Sequence, residues 1–303
     1  MSNLAKSLES ECRMVSGCDA LRQIISPKAR DLGGFSVKRI LPSRGMKAVG
    51  PWVFFDHMGP ATFAAGDGIN VRPHPHIGLA TVTYLFEGQI QHKDSLGTDV
   101  AVLPGDINLM VAGHGIVHSE RQTTAVTKQP HHVHGLQLWL ALPQSHEQCE
   151  PAFHHYDSTS LPNINFDGGQ AKILIGSAFG QSSPVITFSE TLYAEIQLNQ
   201  GASLQLPDVE ELALYIVQGD LAIANITMAD HHMAVFSNDK ILTVTAQSDT
   251  RLVIIGGASL GPRYIDWNFV ATDKNLIETA KQRWQQQQFP SIPGDADDFI
   301  PLP

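Results

Sequence analysis

The 303-residue chain is 43% hydrophobic and 17% charged, the make-up of a globular protein, and its 30 acidic against 20 basic side chains give a net charge of −10. With no Lys/Arg run anywhere, that balance argues against direct binding to nucleic-acid phosphates, which takes a basic patch. The three cysteines, Cys12, Cys18 and Cys149, are odd in number and fit no zinc spacing, so free thiols in a reducing compartment are expected.

The length predicts about two domains of ~150 residues. Met1 to Ser10 has no apolar core of a signal peptide, and no apolar run reaches a membrane-spanning length. A cytoplasmic protein with no membrane partner is the expectation. The sequon Asn225-Ile226-Thr227 carries little weight in such a chain.

Residues 36–150 read as short strands punctuated by Gly and Pro. Leu79 to Phe86 is β-branched and aromatic and ends at the turn Glu87-Gly88. Gln89 to His92 returns, Asp94 to Gly97 turns again, and Val100 to Leu103 is closed by Pro104-Gly105-Asp106. Ile107 to Ala112 leads into Gly113-His114-Gly115, and Gly135 to Leu142 has the apolar bulk of a core strand. A link is expected near Pro143 to Tyr156.

The second half repeats the style at Leu192–Leu198, Ala202–Leu206, Leu212–Val217, Asp220–Ile226, Met233–Phe236, Ile241–Ala246 and Leu252–Ile255. The turn Val217-Gln218-Gly219-Asp220 resembles Phe86-Glu87-Gly88-Gln89. The expected fold is therefore all-β, two antiparallel β-barrels from one duplication, with domains at 1–148 and 149–303. Helix is predicted only over Asp273 to Gln288, where Leu276, Ile277, Ala280 and Trp284 fall at helical spacing and Asp273 can cap the N-terminus. A proline-rich tail, Phe289 to Pro303, follows.

Two short pairs carry the chemistry: His74-Pro75-His76 and His118-Ser119-Glu120. At i, i+2 spacing on a strand, both members of a pair point to one face. Two such strands facing one interior would converge three imidazoles and a carboxylate, a set suited to a divalent transition metal such as iron. The chain has 14 histidines, 12 of them between His57 and His155, so most must be ordinary surface or hydrogen-bonded residues. The shared context, Gly78 after one pair and Gly113 and Gly115 before the other, sets these two apart.

The same stretches resemble the pirin family, a branch of the cupin superfamily. The matching motifs occur in order: Arg72-Pro73-His74-Pro75-His76, Thr81-Val82-Thr83-Tyr84, His92 to Gly97, Pro104-Gly105-Asp106, Ala112 to Glu120, and His134 to Trp139. The C-terminal half resembles pirins at Ser183-Pro184-Val185, Gly201 to Leu204 and Gly256-Gly257. The resemblance implies two cupin barrels face to face, with one metal per chain, usually Fe(II), in the N-terminal barrel on His74, His76, His118 and Glu120. It also implies quercetin 2,3-dioxygenase activity on a flavonol-like aromatic substrate with dioxygen, releasing carbon monoxide. The alternative is a non-enzymatic iron-dependent regulator that binds a protein partner. Many pirins have Arg, Gly, Phe, Glu after the first pair; Ile77, Gly78, Leu79 and Ala80 stand here instead.

Glu120 is expected to serve either as ligand alone or as a ligand that loosens to act as catalytic base. Gln137, between Leu136 and Leu138, is expected either to face the cavity or to be a buried amide satisfied by backbone, and His92, His114 and Phe54 are further pocket candidates. His231 and His232 are adjacent, so a strand would point them apart, and a surface pair is expected there.

Overall fold

The computed structural model describes residues 12–14, 21–31, 35–224, 226–237 and 242–303. Met1 to Ser10, Cys18, Asn225 of the sequon and Ile241 lie outside the described residues, and Cys12 is described only as part of a short strand.

Each half of the chain is a pair of antiparallel sheets. In the N-terminal half a seven-stranded sheet runs Ala152–Tyr156, Ile107–Val111, Leu79–Glu87, His131–Ala141, Trp52–Phe63, Ser36–Leu41, Lys28–Asp31. Its companion has four strands, in the order Asn70–His76, Ile116–Arg121, Ile90–Asp94, Asp99–Val102. The C-terminal half repeats the plan. An eight-stranded sheet is built around Glu211–Gln218, Thr250–Gly257 and Thr191–Leu198, and a four-stranded sheet joins Ser203–Gln205, Thr243–Ala246, Leu221–Ile223 and Ile226–Met228.

Alternation along the strands sorts the faces. Phe55, Val82, Tyr84, Leu136 and Leu138 leave the seven-stranded sheet on one side and pack with Tyr193, Tyr215, Val253 and Ile255 of the other half. Polar groups stitch the same interface. Trp52 Nε1 donates to the carbonyls of Leu192 (3.1 Å) and Gly256 (3.2 Å), and the Tyr84 hydroxyl donates to Glu195 Oε2 at 2.5 Å. His57 is fully buried there, Nδ1 at 2.7 Å from the Tyr215 hydroxyl and Nε2 at 2.8 Å from His134 Nε2. Burial pushes its pKa down to about 2.

The interiors of the two halves differ. Ile173, Ile196, Leu214, Ile216, Leu221, Val244 and Ile254 fill the C-terminal one with hydrocarbon. Between the two N-terminal sheets lie Gln137, Thr83, His92, His118 and Glu120 as well as aromatic residues.

The halves exchange strands. Leu21–Ile25 precedes the N-terminal sheets in sequence but pairs with Met233–Phe236 of the C-terminal half. Ala152–Tyr156 follows the expected boundary at 148/149, within the stretch expected to be a link, yet pairs with Ile107–Val111. Its histidines, His154 and His155, hide the alternation that marks other strands. The single strand expected over Asp220–Ile226 is instead two, because Ala224 turns the backbone with φ of 52°.

The predicted helix forms over Lys274–Gln285, and the Asp273 carboxylate accepts from Asn275 N at 2.9 Å as its cap. Ile277, Ala280 and Trp284 are its buried face, packed with Trp267 and Phe269 against the N-terminal half. Gln285 to Gln288 are exposed. The tail folds back, with Trp284 Nε1 donating to the Ile300 carbonyl at 2.9 Å. No helix among the described residues is long and apolar enough to cross a membrane.

Candidate metal centre

Both sequence pairs lie on the four-stranded sheet of the N-terminal half. His74 and His76 are on its edge strand, and His118 and Glu120 on the neighbouring strand, with His118 directly opposite His74. Period-two alternation turns His74, His76 and His118 to one face, where each offers a ring nitrogen within 4.8 Å of the others. The Nε2 atoms of His76 and His118 are 3.1 Å apart. All three rings are buried.

The tautomers suit a cation. His74 Nδ1 lies 2.8 Å from the Arg72 carbonyl and His76 Nδ1 lies 3.0 Å from the Asn268 carbonyl. A carbonyl only accepts, so Nδ1 carries the proton in both rings and Nε2 presents its lone pair. His118 Nδ1 is buried with no partner among the described residues, so no hydrogen bond there fixes its tautomer. Burial pushes His74 down to about 3, and His76 and His118 well below the usual imidazole value. Three neutral imidazoles, two with Nε2 lone pairs fixed and the third free to turn its own to the same point, fit a divalent transition metal.

Glu120 stands on the same strand as His118, and its carboxylate is taken up by the facing sheet. Gln137 Nε2 donates to Oε1 (2.7 Å) and Oε2 (2.8 Å), and the Thr83 hydroxyl donates to Oε1 at 3.3 Å. The three-imidazole group does not include it. Gln137 thus faces inward, the first of its two expected settings, with Leu136 and Leu138 on the opposite side. Thr83 escaped sequence reasoning, although its register opposite Gln137 follows once the strands are paired.

Beside Gln137 in the next strand is Asp56, which binds Arg39 through Nε (2.7 Å) and Nη2 (2.6 Å). Both residues of this pair are 2% exposed. The Arg39 guanidinium lies 4.3 Å from the Phe54 ring centre. Phe54 stacks on Trp139 at 3.9 Å, and Trp139 sets its face or edge at 75° to His76, 5.0 Å away. A charged residue inside the run Trp52-Val53-Phe54-Phe55-Asp56 was the available signal for this pair.

The other predicted residues separate. His92 is buried beside the site, 5.3 Å from the His118 ring, with Nε2 at 3.1 Å from Asp94 Oδ2. His114 is at the surface, 3.1 Å from Glu150. His231 sits in a turn with φ of 63°, its ring 5.2 Å from His57. Asp106, His155 and Asp157 form a second, largely exposed ligand-type group at the end of the large sheet.

Family models for pirin and for the pirin C-terminal cupin domain match residues 34–140 and 193–290. A pirin-like protein of Caulobacter vibrioides is 39% identical over 284 residues, 92% of this chain and 98% of the relative. A crystal structure of quercetin 2,3-dioxygenase from Acinetobacter baumannii superposes with a TM-score of 0.86 at 32% identity, covering 93% of this chain and 94% of that one. The bacterial pirin YhhW of Escherichia coli, solved in complex with nickel(II), shares the fold at a TM-score of 0.61 and 16% identity, over 77% of this chain and 96% of its own.

Proposed function

The chain belongs to the pirin family, and on that premise we propose that it is a metal-dependent flavonol 2,3-dioxygenase with His74, His76, His118 and Glu120 as ligands. The observation that carries the reading is the convergence of three buried, neutral imidazoles, with a carboxylate held by an amide two residues from His118 on the same strand. The likeness to the Acinetobacter baumannii enzyme supports the substrate class. Nickel(II) in the Escherichia coli pirin supports a divalent transition metal, and iron follows from the family resemblance.

When bound, the ion supplies Lewis acidity toward the flavonol 3-hydroxyl and the redox chemistry with dioxygen. The rest is the work of the chain. Glu120 accepts the 3-hydroxyl proton, as a positioned carboxylate base. Gln137 and Thr83 fix its orientation before substrate arrives, through three hydrogen bonds. The stacked pair Phe54–Trp139 gives a flat apolar wall next to His76, matched to a planar polyphenol. Burial of His74, His76, His118 and Glu120 limits competition from water. The two atoms of dioxygen end in the ring-opened ester, and one ring carbon leaves with its oxygen as carbon monoxide.

The test is oxygen uptake, carbon monoxide release and loss of flavonol absorbance with iron-loaded protein and quercetin. His76→Ala should lose most of its metal and its turnover together. Iron-loaded wild type, with about one metal per chain, that consumes no oxygen with quercetin would overturn the enzyme reading and leave a metal-dependent binding protein in its place.

A further inference from the structure

The two ligand strands do not pair regularly. His118 lies opposite His74, but Glu120 lies opposite Val71, so three steps on one strand match two on the other. The extra residue falls at Arg72-Pro73, and Pro73 has no N–H to give to the ladder. The ladder is therefore broken between His118 and Glu120 on one strand and just before His74 on the other.

The C-terminal tail attaches at this break, on both strands. Ile300 N donates to the Pro73 carbonyl at 2.9 Å. The Ser119 hydroxyl donates to Asp295 Oδ2 at 2.6 Å. Ser119 is 1% exposed and stands between His118 and Glu120, pointing away from them as strand alternation requires. Arg121, one residue past Glu120, forks onto the same carboxylate through Nε (2.9 Å to Oδ2) and Nη2 (2.9 Å to Oδ1) and also reaches Asp298 at 2.7 Å. The same C-terminal region sets the tautomer of His76 through the Asn268 carbonyl.

Resting on the metal-centre reading above, we propose that residues 295–300 are part of the metal centre: they clamp the break between the ligand strands, and Asp295 is a positioning residue that keeps His118 and Glu120 aimed through Ser119. A strand held at Ser119 cannot roll about its own axis without breaking a buried hydrogen bond. Rolling is the motion that would swing both neighbouring ligands off the common point. Outer hydrogen-bond partners of metal ligands are typically worth about 10–100-fold in metal affinity.

The probe is Co(II), whose visible absorption reports ligand geometry. Affinity is measured by competition with a chelator on the full chain. Asp295→Ala should weaken Co(II) binding about 10–100-fold and alter the visible bands. Ser119→Ala should do the same to a similar degree, and the double variant should be no worse than the weaker single, because the two act as one contact. Asp295→Asn, which keeps an acceptor for Ser119, should recover most of the loss. Thermal melting of the apo proteins separates loss of fold from loss of aim, and Ser119→Ala carries the test if Asp295→Ala fails to fold. Affinity and spectrum within twofold of wild type in both single variants overturn the proposal, as does a double variant whose loss is the product of the two singles. If His76→Ala binds Co(II) as tightly as wild type, the metal-centre reading itself has failed and this inference falls with it.

Discussion

Asp56→Asn isolates the worth of the buried pair behind the site. The change keeps shape and removes one charge. It leaves the Arg39 guanidinium 2% exposed and without the carboxylate that now meets it at 2.7 and 2.6 Å. The Arg30 guanidinium adds to the cost, since it feels both Arg39 and Asp56, the first unfavourably and the second favourably. Breaking a buried pair from one side costs about 3–5 kcal/mol when the remaining charge keeps no other partner, and because Arg39 has further contacts the lower end, about 3 kcal/mol, is expected. For a protein of this size that is a fall in melting temperature on the order of 10 °C. The double variant Arg39→Met, Asp56→Leu removes both charges and should recover most of the loss, since two well-packed apolar side chains often match a buried ion pair. Scanning calorimetry and urea melts on apo protein measure both. A loss under about 1 kcal/mol in Asp56→Asn, or a double variant as unstable as the single, would refute the reasoning.

Glu120→Gln should lower turnover per bound iron about 10²–10⁴-fold if the carboxylate is the base, with oxygen uptake normalised to metal content as the readout; activity that falls only in step with metal lost would make it a ligand and nothing more. His57 stays neutral in the fold down to about 2 because it is buried, whereas in the unfolded chain it takes up a proton near pH 6.5, so stability is lost as pH falls below 6.5, by about 2 kcal/mol at pH 5 from this residue. Urea melts at pH 7 and pH 5 should show that loss shrinking by that amount in His57→Gln, and an unchanged loss would contradict the assignment.

The hold of Gln137 and Thr83 on Glu120 comes from the facing sheet, whereas the convergence of His74, His76 and His118 was legible because i, i+2 spacing on a strand fixes a shared face without knowledge of any other strand. Gln137 was legible for the same reason, flanked by two leucines that had to point elsewhere. Thr83 and Asp295 were not, since their roles depend on register and on a tail that returns from more than 170 residues away. Ala152–Tyr156 looks like part of a link in sequence because its histidines break the apolar alternation, and only the pairing with Ile107–Val111 shows it as an edge strand. The helix was plain in the sequence, cap included. What it covers was not: Ile77, which stands where many pirins carry arginine, is 2% exposed and bridges to Phe269 in the segment just before that helix. Gly78 beside it has φ of 67°, and a Cβ there would sit 1.9 Å from the Val270 carbonyl oxygen. That glycine lets the same segment press against the ligand strand.

The return of the tail to Pro73 and Ser119 also imposes an order of assembly during synthesis. Glu120 is made about 175 residues before Asp295. At about 5–20 residues per second, the growing chain carries both His-containing pairs for roughly 10–35 s before the residues that fasten their strands exist. During that interval the imidazoles can meet any divalent ion, but the strands that bear them lack their last fastening. On the metal-centre and clamp proposals, metal taken up early would exchange readily and metal taken up late would stay, so the ion finally retained would reflect the pool that the finished chain meets.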